Sequence, residues 1–140
     1  MKMKHRISYL VADVIVEAGN GIVLIKRKHG PFKGYFALPA GFVEPNELVE
    51  NAAIREVKEE TGLDIELDNI VGVYSKPDRD PRGDVVSICF RAHKIGGLLK
   101  GMDDASIAKI FKKNEISKLK LAFDNSKMVK DYFKRVKYER

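Results

Sequence analysis

The stretch from Gly41 to Leu63, GFVEPNELVENAAIREVKEETGL, limits the fold more than any other part of this chain. It sets six carboxylates and two cations in what reads as one short helix. The start is expected at Pro45-Asn46-Glu47 with Asn46 as N-cap, and the stop at Gly62, which can take the left-handed C-terminal position. At about 100° per residue, Glu56, Glu59 and Glu60 fall within an arc of roughly 100°, so three carboxylates share one face. Glu56 and Glu60 are like charges at i and i+4, which destabilises a helix by about 0.2 to 0.5 kcal/mol, and the last turn is where the macrodipole disfavours anions. Arg55 and Lys58 offset part of that repulsion. A divalent cation on carboxylate oxygens, Mg2+ or Mn2+, would offset it fully, whereas the competing reading is an ordinary solvated helix face. Ile54 and Val57 are expected to anchor the helix, and Gly41 lies near enough upstream to offer a backbone carbonyl.

Around this helix the chain alternates β-rich runs with turns. Tyr9 to Val16 and Gly21 to Arg27 form an expected hairpin closed at Asn20-Gly21. Residues 28 to 37 read as a loop leading into an extended piece, Leu38 to Val43. Ile65 to Tyr74 and Val85 to His93 read as strands joined by the polar loop SKPDRDPRGD, Ser75 to Asp84. Two helices are expected near the end, Asp104 to Lys112 and Asn125 to Lys137, the second with Met128, Val129, Tyr132, Phe133 and Val136 on an apolar stripe. This order implies one α/β (α+β) layered domain over residues 1–140.

Composition narrows the function. With 140 residues, 44% hydrophobic and 33% charged, the chain can bury a core. The first apolar run is broken by Asp13 and lacks a secretory pattern, so a soluble, cytoplasmic protein is expected. Cys89 is the single cysteine, which rules out an internal disulfide or thiolate zinc cluster, and its strand-like setting suggests a buried structural thiol. The net charge of +6 suits an anionic partner. Many of the lysines lie in the last third and read as a solvated face, so neither nucleic acid nor membrane is expected as a partner; a homodimer is allowed.

Gly41, Glu47 and then Arg55-Glu56-Val57-Lys58-Glu59-Glu60-Thr61-Gly62-Leu63 resemble a complete Nudix box, with nine defining positions over 23 residues. Asn46 departs from the glycine that many members carry before the glutamate. The resemblance implies an α/β/α sandwich with a mixed sheet and a catalytic loop-helix-loop. It implies hydrolysis of the pyrophosphate bond in a nucleoside diphosphate linked to another group, using water and Mg2+ or Mn2+. Glu56, Glu59 and Glu60 are then the expected metal ligands, with the Ala40 or Gly41 carbonyl as a further one. Arg55 would orient a glutamate, and Glu47 would support the loop or help deprotonate water. The general base is open among Glu60, Glu56 and a later acid such as Asp103, Asp104 or Glu115. Arg27 resembles the family's phosphate-binding arginine. The run LPAGFVE and the loop RDPRG resemble ADP-ribose pyrophosphatases, although Asp84 stands where many of those carry histidine. Arg79 and Arg82 could grip phosphate or ribose, and Phe32, Tyr35 and Phe36 could stack on a base. The alternatives are a MutT-like nucleoside triphosphate pyrophosphohydrolase and a non-catalytic nucleotide sensor.

Overall fold

The structure, a computed structural model, describes residues 4–100 and 106–138. In chain order the elements are β1 (Tyr9–Ala18), β2 (Gly21–Arg27), β3 (Phe36–Ala37), β4 (Ala40–Phe42), α1 (Val49–Thr61), β5 (Leu63–Tyr74), β6 (Val85–Gly97), β7 (Ser106–Phe111), α2 (Lys113–Ile116) and α3 (Asn125–Tyr138). The strands build one mixed sheet in which β1 runs parallel to β6 and the other pairings are antiparallel.

Strand alternation divides the interior in two. Ala12, Val14, Val16 and Ala18 of β1 pack toward α1 with its Ala52, Ala53 and Val57. Ile15 of the same strand packs with Cys89, Ile116, Met128, Val129 and Tyr132 on the side of α2 and α3. The sheet therefore lies between two helical layers, which is the expected sandwich. The apolar stripe of α3 is core, as its spacing indicated, and Cys89 is a buried free thiol.

The first hairpin forms, with its left-handed residue at Gly19 (φ 56) rather than at Asn20-Gly21. Gly21 is needed for another reason: a Cβ there would come within 2.2 Å of the Phe111 carbonyl oxygen on β7. β1 meets β2 only at Glu17↔Ile22 and Ala18↔Gly21, while its start pairs with β4 through Val11↔Phe42 and Asp13↔Ala40. The two strands diverge beyond the hairpin, and this fork opens the cleft described below.

Three further sequence expectations change. The helix expected at Asp104 to Lys112 is strand β7 over its described part, with Asp104 itself outside the described residues, because Ser106 to Phe111 pair residue for residue with Arg27 to Ile22. Backbone pairing with an open strand edge outweighs the weak helical spacing of that segment. Asn46 is not the N-cap of α1; Leu48 holds that place without a side-chain cap. Asn46 instead sits at φ 64 in the turn Glu44-Pro45-Asn46-Glu47, closed by Glu47 N–H to Glu44 O at 3.1 Å. Proline followed by a left-handed residue is the type II pattern, and asparagine tolerates that conformation next best to glycine. Ile54 is 40% exposed, so Ala52, Ala53, Val57 and Thr61 hold α1 down without it. Gly62 ends the helix as expected, at φ 81, with its N–H on Lys58 O.

Candidate active site

The acidic face of α1 is organised by one guanidinium. Arg55 grips Glu47 with two hydrogen bonds, Nε to Oε2 at 2.8 Å and Nη2 to Oε1 at 3.0 Å. It also reaches Glu56 Oε1 at 2.7 Å, Glu59 Oε2 at 3.5 Å and the Phe42 carbonyl at 3.2 Å. Arg55 thus ties α1 to β4 and to the turn before the helix. The paired guanidinium, helped by the Glu44 N–H, holds the Glu47 carboxyl down at about 2. A carboxylate so committed supports the loop and is poorly suited to take a proton from water.

Glu56 and Glu60 behave differently. Burial raises Glu56 above the usual carboxylate range despite its bond to Arg55. Burial pushes Glu60 up to about 8, against a hydrogen bond of 2.8 Å that it accepts from the Ala40 N–H. Glu59 is exposed at the helix surface. Gly41 is required where it stands, since a Cβ would lie 2.1 Å from Glu56 Cδ. Among the described residues no three Asp, Glu, His or Cys side chains converge as a finished metal cage. Glu56 is turned to Arg55 and Glu60 to the β4 backbone. The donor set nevertheless suits a hard divalent cation: three carboxylates on one face, beside a bare glycine backbone, with half-buried Glu60 lifted far above its ordinary range by desolvation.

Glu60 also borders a narrow cleft of about 40 Å³ at the fork of the sheet, together with Asp13, Arg27, Gly41, Phe42, Arg79, Arg82 and Phe123. Arg27 donates from Nε to Pro31 O at 2.8 Å and lies 5.0 Å over the Phe123 ring. Arg82 pairs with Asp80 at 2.8 Å and sits between two rings, 4.7 Å from Phe42 and 4.8 Å from Phe123. Phe123 itself is held at φ 52, a conformation that costs an aromatic residue about 1 kcal/mol or more.

Arg79, read from sequence as a substrate contact, has its fork filled. It makes bonds of 2.8 and 2.6 Å to Asp124 and one of 3.1 Å to the Val85 carbonyl, and its side chain is 4% exposed. Its part here is to fasten the Ser75 to Asp84 loop to the start of α3. Asp84 pairs with Arg6 and accepts the Tyr9 N–H, so it closes the loop at the sheet edge. Among the acids considered as base, Glu115 caps α2 by accepting the Lys112 N–H at 2.8 Å and does not line the cleft. Asp103 and Asp104 lie outside the described residues. Phe32 and Tyr35 pack on each other, with Phe32 also against Phe123, and Phe36 packs on Phe111; none of the three lines the cleft. The aromatic walls are Phe42 and Phe123, which sequence reasoning missed.

The family model of the NUDIX domain matches residues 5–132. The chain belongs to the Nudix family. It is 55% identical to a protein of Methanocaldococcus jannaschii named ADP-ribose pyrophosphatase, over 89% of this chain and 73% of that one. A mutT/nudix family protein from Listeria innocua has a solved structure that covers 96% of this Nudix chain and 98% of its own, at 35% identity and a TM-score of 0.75. The Nudix domain of Shewanella oneidensis NrtR, solved in complex with ADP ribose, covers 94% of this chain and 90% of its own, with a TM-score of 0.79; at 22% identity that likeness speaks for the Nudix fold alone.

Proposed function

We propose that this Nudix protein hydrolyses the pyrophosphate bond of ADP-ribose or a related nucleoside diphosphate sugar, with Mg2+ or Mn2+ as cofactor. The observation that carries the reading is the unbalanced charge on α1. One guanidinium, Arg55, serves Glu47, Glu56 and Glu59, while half-buried Glu60 accepts only a backbone N–H among the described residues. The relative named ADP-ribose pyrophosphatase supports the substrate class, since it matches 89% of this chain at 55% identity.

Glu56, Glu59 and Glu60, with the Ala40 or Gly41 carbonyl, would hold the cation. When bound, it neutralises the diphosphate and lowers the pKa of its water. The protein's own groups do the rest. Arg55 fixes Glu56 and the β4 backbone in one frame, beside the cleft that Glu60 lines. Glu60, at the boundary between burial and the cleft, takes the proton as water oxygen attacks phosphorus and the bridging P–O bond breaks. Arg27 and Arg82 line the same cleft as Glu60, where their charge suits the phosphates, and the products are AMP and ribose 5-phosphate. A MutT-like reading predicts pyrophosphate instead. Chromatography of products from ADP-ribose and from nucleoside triphosphates, with Mg2+ or Mn2+ against EDTA, tests this. Metal-dependent AMP from ADP-ribose is the expected result, and pyrophosphate released only from triphosphates would overturn it.

A further inference from the structure

β1 is apolar from Leu10 to Val16 except at Asp13, which sits in mid-sheet and is 4% exposed. Strand alternation turns it to the α3 side with Val11 and Ile15, where it lines the cleft. Ser87, across the parallel pairing with β6, hydrogen-bonds the carboxyl. Yet Asp13 Oδ2 is the one buried side-chain oxygen without a hydrogen-bond partner among the described residues. An unpaired buried polar atom costs about 1 to 3 kcal/mol, and more when charged. The nearby arginines do not explain the carboxylate, because Arg79 is filled by Asp124 and Arg82 is paired with Asp80. An apolar residue would build this strand with less strain on stability, so folding gives no reason for the acid.

The cleft supplies a reason. Its wall toward α1 carries Glu60, and Arg27, which lines it too, provides charge that suits phosphate. A carboxylate at Asp13 would repel phosphate and accepts hydrogen bonds without donating them while ionised. The part of a nucleotide that offers donors without negative charge is the nucleoside. Phe42 and Phe123 line the same cleft and give it aromatic walls that suit a nucleoside, with the flat guanidinium of Arg82 lying against both rings. We propose that Asp13 determines specificity by accepting, at Oδ2, a hydrogen bond from the nucleoside end of the substrate, either an exocyclic amine of the base or a ribose hydroxyl. This rests on the substrate class proposed above.

The test is calorimetric titration of AMP, purine riboside 5′-monophosphate and 2′-deoxy-AMP, with Mg2+, into the wild type, Asp13→Asn and Asp13→Leu. AMP should bind the wild type about tenfold or more tightly than the one analogue that lacks the donor in question. Loss of preference against the purine riboside identifies the amine, and loss against the deoxynucleotide identifies the hydroxyl. Asp13→Leu should level the preference without lowering the melting temperature, because a buried unpaired charge is removed. If that variant does not fold, Asp13→Asn decides, and it should weaken AMP by severalfold. Equal binding of all three nucleotides by the wild type, or unchanged AMP binding by both variants, would overturn the proposal. Intact discrimination for AMP in a protein that leaves ADP-ribose uncleaved would strike the substrate reading and leave Asp13 in its place.

Discussion

Two arginine-carboxylate clusters, one on α1 and one on the loop between β5 and β6, are built on opposite principles. On the α1 side a single Arg55 is shared among Glu47, Glu56 and Glu59, and Glu60 is half-buried beside them. On the loop side the pairing is one to one, Arg79 with Asp124 and Arg82 with Asp80, through forks that leave little unmet. The Arg79–Asp124 pair, with the arginine side chain 4% exposed, behaves as scaffold. The unbalanced side stores negative charge that folding alone does not require, and stored charge of that kind is what a cation-assisted site needs. The difference shows why counting charged residues in a sequence does not locate a site, whereas asking which charges lack partners does.

The largest effect should come from the unbalanced side. Glu60→Gln is expected to lower kcat by about 10³-fold, roughly 4 kcal/mol of barrier, while the metal-free protein melts no lower than the wild type because the amide oxygen can still accept the Ala40 N–H and no carboxyl is left to ionise there. A melt lowered by many degrees in EDTA would show that Glu60 belongs to the scaffold instead. Next, Arg79→Ala on the balanced side should destabilise the fold by about 3 kcal/mol in urea titration, since Asp124 is left without its partner. A change under about 0.5 kcal/mol would mean that this cluster is no scaffold. Arg55→Lys should reduce kcat/KM by roughly 10 to 100-fold with little change in melting temperature, because a point charge cannot hold Glu47 and Glu56 in a fixed fork.

The smallest effect is a pH trend. Glu60 is raised from 4.5 to about 8 and Asp13 from 3.8 to about 6, so the native state keeps these protons longer than the unfolded chain. Their contribution to stability is complete below pH 4 and declines as pH rises, through about 6 for Asp13 and about 8 for Glu60. Glu47, lowered to about 2, acts in the opposite sense, and its contribution is lost only in strong acid. Between pH 5 and 8 the metal-free protein should therefore lose on the order of 5 °C in melting temperature, and Glu60→Gln should remove most of that slope. A flat profile in the wild type would mean that Glu60 is already compensated.

Much of this balance was legible in the sequence where chemistry and spacing coincide. The shared face of Glu56, Glu59 and Glu60 and the stop at Gly62 follow from short-range pattern, while the position of Arg27 in the cleft agrees with what the family resemblance implied. What was not legible depends on long-range pairing. β7 is a strand because β2 offers an edge across some 80 residues of chain, and nothing within Ser106 to Phe111 announces it. Arg79 could not be told from Arg82, because only the fold brings Asp124 to one and Phe42 and Phe123 to the other. Asp13 did leave a signal, a lone acid in an apolar strand, whose meaning appears only once its neighbours are seen to be occupied.

The bond between Arg79 and Asp124 makes the C-terminal layer a working part of the cleft. Asp124 stands just ahead of α3, and Tyr74, on the strand that feeds the same loop, donates its hydroxyl to Asp131 within that helix at 2.8 Å. Loosening α3 by a substitution in its apolar stripe would slacken both moorings at once. Such a lesion, though it touches no glutamate, would surface as altered nucleotide affinity before it surfaced as unfolding.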